Sequence, residues 1–493
     1  MQITQSQLES YLFKAANILR GPVDHSDFKT YIFPLLFYKR ICDVYDEETE
    51  KALLESDGDQ EYSKLPEHHQ FTIPEGAHWN RVREVTKDVG LSLQNSLRAI
   101  EKANPDTLYG IFGDAQWTNK ERFKDRLILD LLEHFSQYKL SNANVVADVA
   151  GRAYEFLIKK FADLSKKKAG EFYTPREMIK LMVKILAPKE GESVYDPACG
   201  TGGMLLEAVN HVKEVDGDIR TLKLYGQEMN LTTAAIARMN LILHGLEDFT
   251  IINADTLRNP GFYSGDVLQT FDNVIANPPF SLKNWGHDEW KKDRFGRNIF
   301  GTPPKSYADF AWVQHMITSV NQTKGKVAVI VPHGVLFRAG TEGKIREKMV
   351  EEDLIECIIG LAPNLFYGTG IPGAIILLNK KKPMDKQEKI QIIDASSIFK
   401  KGRAQNSLND ENIYAIFELY KKYEDIEGFV KIAPLDEVME NDYVLNISKY
   451  VFPVDESENI PFSEIFDQFK EGLDASYDAD EKLKRILKEE GLM

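Results

Sequence analysis

Apolar and polar residues in the first part of the chain alternate with the period of an α-helix. Apolar side chains recur three or four positions apart from Leu8 to Leu19, and this pattern stops before Gly21. The same spacing returns in two later stretches, residues 33–44 and 126–138. No glycine-rich loop and no strand-type alternation separates them. The pattern predicts an all-helical N-terminal domain over residues 1–144.

The hydrophobic pattern changes in residues 145–400, where short runs rich in β-branched residues alternate with helical patterns. The runs cover residues 193–196, 222–228, 250–255, 271–277, 326–332, 354–360 and 373–378. This alternation predicts an α/β domain whose sheet is mostly parallel, has about seven strands and carries helices on both faces. The last two runs are close enough to pair as a hairpin. Ligands of such sheets bind beyond the carboxyl ends of the strands.

The third part of the chain, residues 401–493, begins with a short mixed region and continues with two amphipathic helical patterns. The first runs from Phe462 to Phe469, and the second starts at Asp478 as an N-cap and ends at Gly491. Both carry narrow apolar stripes on charged helices. We interpret them as a helical tail that docks on a partner.

Composition narrows the class of protein further. With 493 residues and 43% hydrophobic content the chain can bury a large core. It has neither the ~20-residue apolar run of a membrane helix nor a signal-peptide layout. Its three scattered cysteines fit a reducing cytoplasm. The net charge of −15 argues against a chain that binds nucleic acid by itself. Binding would require either a local basic groove on this chain or a partner that supplies most of the contacts with DNA.

A glycine-rich turn directly follows the first predicted strand. It reads Asp196-Pro197-Ala198-Cys199-Gly200-Thr201-Gly202-Gly203. Glycine lets the backbone approach a ligand closely. The turn has neither the spacing of a dinucleotide loop nor the lysine of a P-loop. Asp196 instead suits a cofactor with amino and hydroxyl donors, although a purely structural turn is the alternative.

Two further acids close the next two predicted strands. Glu228 can accept both hydroxyls of a ribose, and Asp255 can reach an adenine amino group. Each acid alone would be a solvated strand end, but three at successive strand ends indicate a nucleoside-containing cofactor. An upstream segment supplies aromatic surface and a helix start, although alone it would fit a capped helix; it consists of Glu171, Phe172, Tyr173, Thr174, Pro175 and Arg176.

The fourth predicted strand ends in Asn277-Pro278-Pro279-Phe280. An exocyclic amino group on a base is a weak nucleophile because its lone pair is delocalised into the ring. The Asn277 side-chain carbonyl and the Pro278 backbone carbonyl can accept its two N–H bonds and localise the lone pair toward a methyl donor. Prolines hold these carbonyls rigidly, and Phe280 offers a stacking face for an extruded base. This transfer requires no metal and no covalent intermediate, although a proline-stiffened loop is the plain alternative.

The sequence lacks the residues required for two other activities, cytosine-C5 methylation and ATP-driven translocation. A cytosine-C5 methyltransferase needs a nucleophilic cysteine in a Pro-Cys pair, and none of the cysteines is so placed. The segment GTEGK at residues 340–344 lacks the spacing of a nucleotide-binding loop, so ATP-driven translocation is not encoded here.

The turn DPACGTGG followed by NPPF resembles the amino-methyltransferases in which the cofactor motif precedes the catalytic motif. The whole chain is similar to the modification subunit of type I restriction-modification systems. Stretches that carry this resemblance are GRAYEFLIKKFA, GEFYTPREM, YADFAWVQHM, VPHGVLFRAGTEGKIRE, NLFYGTGIPGAIILL, NDYVLNISKYV and, in the N-terminal domain, FPLLFYKRICD.

The resemblance implies a Rossmann-like, S-adenosylmethionine-dependent methyltransferase that modifies the N6 amino group of adenine in DNA. It places cofactor contacts at residues 171–176, at 201–203 and at Glu228, and catalysis at 277–280. It also implies two modification subunits on one specificity subunit, which reads a split DNA sequence, with restriction subunits in the full complex and no membrane.

Alternatives stay open at this point. One is a self-sufficient amino-methyltransferase acting on RNA or DNA, and another is a catalytically inactive scaffold. A nicotinamide-dependent dehydrogenase is disfavoured by the turn and leaves NPPF unexplained. The basic and aromatic loop at residues 283–305 is either a DNA-facing lid or a solvated surface loop.

Overall fold

The structure, a computed structural model, covers most of the chain. It describes residues 2–165, 173–367, 369–403, 405–452 and 462–490. Glu171 and Phe172 of the predicted cofactor segment lie outside the described residues.

The N-terminal region is helical, as predicted, and residues 2–144 contain no strand. Its helices are α1 (Gln5–Leu19), α2 (Phe28–Glu55), α3 (Trp79–Arg83), α4 (Val89–Ala103), α5 (Pro105–Leu108) and α6 (Asp125–Phe135). A capping box starts α1, in which the Thr4 side chain accepts from the Gln7 backbone N–H and the Gln7 side chain accepts from Thr4. The helices enclose one apolar core, which also receives α7 and α10 of the following region.

In the part of the chain that the structure describes, the first strand begins at Ser193. The strands are β1 (Ser193–Asp196), β2 (Lys223–Glu228), β3 (Phe249–Asn253), β4 (Tyr263–Ser264), β5 (Val267–Leu268), β6 (Asn273–Ala276), β7 (Lys326–Pro332), β8 (Ile355–Leu361), β9 (Gly373–Asn379), β10 (Lys389–Ala395) and β11 (Val430–Pro434). All but the small β4–β5 hairpin form one nine-stranded sheet in the order β11-β10-β8-β9-β7-β6-β1-β2-β3. Strands β9 and β11 run antiparallel to their neighbours, and the other pairings are parallel.

The mostly parallel α/β fold is confirmed, and so is the hairpin of the last two predicted strands, β8 and β9. The sheet has nine strands where the sequence predicts about seven, because β10 and β11 extend it. A buried glutamine, Gln391, interrupts the run of apolar residues in β10, so the hydrophobic pattern did not predict this strand. Gln391 is fully buried, and its amide donates to the carbonyls of Leu419 and Tyr420 at 3.0 and 3.2 Å.

Helices cover both faces of the sheet. They are α7 (Ala147–Ser165), α8 (Arg176–Leu186), α9 (Gly203–Glu214), α10 (Leu231–Leu243), α11 (His287–Trp290), α12 (Asp309–Thr318), α13 (Thr341–Glu351), α14 (Asp410–Lys422) and α15 (Leu435–Glu440). One apolar layer packs α8, α9 and α14 against residues such as Val194 and Ile275, and the other packs α12, α13 and α15 against Tyr195 and Val274. Burial on both faces explains why the central strands β6, β7, β8 and β9 are almost continuously apolar.

The sheet does not stop at residue 400, where the sequence placed the start of a separate region. Strand β11 comes from beyond that point and pairs with β10 along residues 430–434. The described chain divides into two compact units, residues 1–451 and 452–493.

The described residues of the second unit, 452 and 462–490, contain a single helix, α16 (Phe462–Glu489), so the prediction of two helices with an N-cap at Asp478 is wrong. No glycine or proline interrupts residues 473–490, and charged pairs such as Lys484–Asp480, 2.7 Å apart, support a continuous helix. Among the described residues, none of the helices combines the length and apolar composition required to span a membrane.

Candidate active site

Strand order reverses between β1 and β6, which are neighbours in the sheet although β2, β3, β4 and β5 lie between them in sequence. Crevices form at such a switch point beyond the carboxyl ends of the strands. The glycine-rich turn follows β1 and the Asn-Pro-Pro-Phe motif follows β6. The fold therefore brings the two predicted motifs to one place.

Backbone geometry explains the glycines of the turn. Gly200 and Gly202 adopt left-handed conformations with φ of +53° and +79°, and Gly202 is the N-cap of α9. A Cβ on Gly203 would lie 3.1 Å from the Ile179 side chain. The turn is consequently tight and leaves its backbone N–H groups close to the cavity.

Asp196 ends β1 and is 2% exposed. Its Oδ1 accepts a hydrogen bond from the Ala198 backbone N–H at 3.0 Å. Burial, with a smaller contribution from the charge of Glu228, raises the pKa of the Asp196 carboxyl to about 8. The group therefore holds a proton at neutral pH.

Glu228 is the last residue of β2, as predicted. One of its carboxylate oxygens accepts from Gly200 N at 3.1 Å and the other from Asn230 N at 2.8 Å. Burial raises the pKa of this carboxyl. Glu228 thus joins the glycine turn to the start of α10.

Asp255 lies two residues beyond β3, not in the strand. Its Oδ1 accepts from the backbone N–H groups of Leu257 and Arg258 at 3.0 and 3.2 Å. The carboxylate organises the loop after β3.

Asn277 follows β6 directly and is oriented by a residue 103 positions earlier. Its Nδ2 donates to Thr174 Oγ1 at 3.0 Å. Its Oδ1 is buried and has no hydrogen-bond partner among the residues that the structure describes. A buried carbonyl oxygen without a donor is unfavourable, and a ligand N–H would satisfy it.

A second aromatic residue accompanies the Asn-Pro-Pro-Phe motif. The rings of Phe280 and Phe366 meet edge to face with centroids 5.9 Å apart. Phe366 lies in the loop after β8 and is not among the predicted site residues. The only signal was its place in the stretch NLFYGTG, whose function the residues alone do not reveal.

A cavity of about 250 Å³ joins the two motifs. The predicted residues that line it are Tyr173, Thr174, Arg176, Asp196, Ala198, Gly200, Thr201, Gly203 and Asn277. The predicted residues near it that do not line it are Pro175, Gly202, Glu228, Asp255, Pro278, Pro279 and Phe280. Pro175 serves as the N-cap of α8.

Helices of the first 165 residues provide one wall of this cavity, which was not predicted. The wall contains Gln5 and Glu9 of α1 and Arg152, Glu155, Phe156, Ile158 and Lys159 of α7. Arg176 lies 3.6 Å from Glu155 and 3.9 Å from Glu207 of α9. Burial raises the pKa values of both glutamates. This end of the cavity places a guanidinium, which donates hydrogen bonds, beside two carboxyl groups, which accept them, and a zwitterionic group requires both kinds of partner.

The loop at residues 283–305 is anchored rather than free. Arg297 is 2% exposed and donates to Asp293 and to the carbonyls of Thr256 and Leu257 in the loop after β3. Trp285 and Trp290 are buried with Leu257 in a small apolar cluster. The remaining basic residues of this loop are exposed, namely Lys283, Lys291, Lys292, Arg294 and Lys305.

Comparison with known proteins agrees with this geometry. A family model described as N-6 DNA Methylase matches residues 145–459, and one described as HsdM N-terminal domain matches residues 8–135. The MjaVII type I restriction enzyme methylase subunit of Methanocaldococcus jannaschii is 36% identical over 489 residues, covering 95% of this chain and 82% of the relative. The HindI methylase subunit of Haemophilus influenzae is 32% identical over 422 residues, covering 80% and 93%.

Among solved structures, a type I restriction-modification methyltransferase subunit from Streptococcus thermophilus superposes with a TM-score of 0.79 at 32% identity. The superposition covers 91% of this chain and all of that one. The chain belongs to the N-6 DNA methylase family and is a type I modification subunit, an adenine-specific DNA methyltransferase that uses S-adenosylmethionine.

Proposed function

We propose that residues 277–280 carry the methyl transfer and that the adjoining cavity holds the cofactor. One observation carries this proposal. Asn277 presents a buried carbonyl oxygen without a partner among the described residues, on the wall of a cavity that the glycine turn also lines. An acceptor held in this way fits the amino group of an adenine.

The cofactor contacts follow from the donors and acceptors present. S-adenosylmethionine supplies a methyl group on a positively charged sulfur. Glu228 would accept from the ribose hydroxyls and Asp255 from the adenine amino group of the cofactor. Because neither residue lines the cavity, the nucleoside would extend beyond it. Arg176 and Glu155, which lie 3.6 Å apart, bind the carboxylate and ammonium of its methionine end.

The target adenine is activated by two carbonyls. Asn277 Oδ1 and the Pro278 carbonyl oxygen accept the two N–H bonds of its amino group, which localises the nitrogen lone pair toward the methyl group. Phe280 and Phe366 hold the extruded base by ring contacts. Positioning of this kind accounts for most of the rate enhancement that the site can supply.

The relatives are named methylase subunits of type I restriction enzymes. We infer that this chain likewise works beside a specificity subunit, two copies to one, and can join restriction subunits. Its net charge of −15 fits a protein that leaves sequence reading to a partner. The buried free thiols of Cys42, Cys199 and Cys357 suit the cytoplasm, where we place the complex.

The helix α16 is our candidate for partner docking. Phe469, Leu473 and Leu483 lie on one face of it and are 61%, 43% and 53% exposed. An apolar stripe of this kind on a charged helix suits packing against another helix.

The test begins in the native host. The tagged chain is purified with its partners, and N6-methyladenine is mapped across the genome of strains carrying the wild type, a deletion or Asn277→Ala. We expect one methylated DNA motif that disappears in both altered strains. Methylation that persists in the deletion strain, or that appears only in RNA, would contradict the proposal. Sequence-specific DNA binding by the isolated chain would favour a self-sufficient enzyme.

A further inference from the structure

A short loop after β10 carries three basic residues on a tight turn. Lys400 and Ser407 exchange backbone hydrogen bonds of 2.8 and 3.1 Å, which closes the loop. A Cβ on Gly402 would lie 1.8 Å from the Gln405 carbonyl oxygen, so this position accepts only glycine. We call residues 400–403 the basic tip.

The cations of the basic tip are available to a ligand. Lys400, Lys401 and Arg403 are exposed, and none of them forms an ion pair with a residue that the structure describes. Lysines at the opposite edge of the sheet differ, because Lys382 and Lys386 are paired with Asp353 and Glu356. A ligand at the basic tip would not have to break an ion pair.

The loop that carries the basic tip is tied to the loop that carries Phe366. The Asn406 backbone N–H donates to the Asn364 carbonyl at 3.0 Å, and its side chain donates to the Pro363 carbonyl at 2.9 Å. The Gln405 side chain donates to the Leu365 carbonyl at 2.8 Å. These bonds hold the basic tip in a fixed relation to the aromatic pair.

The basic tip also lies at the catalytic edge of the sheet. Strand β10 is parallel to β8, so its carboxyl end shares the edge at which β1 and β6 end. Residues 405–407 line a cavity of about 190 Å³ together with Tyr173. Tyr173 also lines the cofactor cavity, so the two cavities adjoin.

We propose that the basic tip binds phosphates of the DNA strand that carries the target adenine. Extrusion of a base requires that its backbone be held near the active site, and phosphate contacts do this without reading sequence. A chain with a negative net charge can make such contacts only where several Lys or Arg side chains lie together and are not already paired with carboxylates. This inference rests on the proposed function and adds a surface through which this subunit itself grips its substrate.

The experiment compares two variants with equal charge change. The first is Lys400→Gln/Lys401→Gln/Arg403→Gln, and the matched control is the triple variant of three exposed lysines at the opposite edge, Lys223→Gln/Lys381→Gln/Lys389→Gln. Each is purified as the complex with the specificity subunit. The dissociation constant for a duplex containing the mapped methylation motif is measured over a range of salt concentrations, followed by steady-state methylation.

We expect the slope of log affinity against log salt to become shallower by about 2 to 3 in the tip variant, since each lost phosphate contact removes about 0.9. DNA affinity at 0.1 M salt falls about ten- to a hundred-fold. Cofactor affinity and turnover at saturating DNA stay at the wild-type level. The control keeps the wild-type slope to within about 0.5 of a unit.

A tip variant with the slope of the control overturns the inference. So does a variant that fails to assemble with the specificity subunit while residual complex keeps the wild-type slope, because the basic tip then binds an acidic protein surface. A wild-type complex that binds DNA but methylates no adenine would contradict the proposed function without contradicting the inference about the basic tip. The comparison of the salt slopes would still decide whether the basic tip binds DNA.

Discussion

Thr174 holds the side-chain amide of Asn277 in one orientation. The Asn277 amide nitrogen donates to the Thr174 hydroxyl at 3.0 Å, and the carbonyl oxygen of the same amide therefore points away from Thr174. That oxygen is buried without a partner among the described residues. Thr174 is therefore a positioning residue for the group that we expect to activate adenine.

Replacing Thr174 with valine should disturb this orientation while preserving the shape of the side chain. Without an acceptor at position 174, the side-chain amide of Asn277 can rotate by 180° and exchange its oxygen and nitrogen. We expect the turnover number to fall about ten-fold, the effect of one lost hydrogen bond. The affinity for S-adenosylmethionine should change by less than about three-fold. Thr174→Ser keeps the acceptor and should restore turnover. Wild-type turnover in Thr174→Val would show that the bond is dispensable.

Asn277→Ala removes the acceptor itself. We expect turnover to fall about a thousand-fold, because the interaction is strongest where charge develops in the transition state. Cofactor affinity, measured by calorimetry, should remain close to that of the wild type. Near-normal methyl transfer to a DNA duplex would disprove the proposed mechanism.

Asp196 should make the stability of the cofactor-free protein depend on pH. Its pKa of about 8 in the folded chain lies above the ordinary value of 3.8, so the folded state retains a proton that the unfolded state has lost. Stability contributed by this group is therefore fully present below pH 3.8 and is lost as pH rises toward 8, by up to about 1.4 kcal/mol per pH unit.

Urea unfolding between pH 5.5 and pH 9 would measure this effect. The free energy of unfolding should decline more steeply with pH in the wild type than in Asp196→Asn, which cannot titrate. Parallel pH profiles of the two proteins would contradict the assignment.

Arg297 should be essential for stability because it pairs with a buried acid. Its guanidinium lies 2.6 Å from Asp293, and the two side chains are 2% and 5% exposed. Arg297→Met leaves that carboxylate unpaired and should lower the free energy of unfolding by about 3 to 5 kcal/mol. Arg297→Met/Asp293→Leu should recover part of the loss, whereas Lys292→Met at an exposed site should change stability by less than about 0.5 kcal/mol. Equal effects at positions 297 and 292 would refute the anchoring role.

The apolar stripe of α16 should control assembly. Phe469→Ser/Leu473→Ser/Leu483→Ser should weaken binding of the specificity subunit, as should deletion of residues 476–493, because both remove apolar surface from the interface. The matched control on the opposite face of the helix is Glu471→Ser/Asp478→Ser/Arg485→Ser. Sedimentation of the mixed subunits measures assembly, and cofactor affinity should be unchanged in all variants. Unaltered assembly of the stripe variant would exclude α16 as the docking element.

Local chemistry explains what could be predicted. Three features could be predicted because each depends only on neighbouring residues. They are the glycine turn, the two prolines after Asn277 and the acid at the end of β2. The first follows from the backbone freedom of glycine, the second from the closed ring of proline and the third from the hydrophobic pattern of a strand. The seven apolar runs predicted seven of the nine strands. In the central strands β6, β7, β8 and β9, burial on both faces leaves a continuous apolar signal. Strand β10 was missed because Gln391 breaks that signal and finds its partners in a distant helix.

The sequence by itself determined the α/β class, the helical N-terminal region, the two motifs and, through resemblance, the family. Only the tertiary structure decided that Thr174 orients Asn277, that Phe366 faces Phe280 and that α7 lines the cavity beside the glycine turn. These relationships join residues from 86 to 103 positions apart or from different helices. No short-range pattern encodes them, because they arise only when packing of the sheet and its helices brings distant loops to one edge.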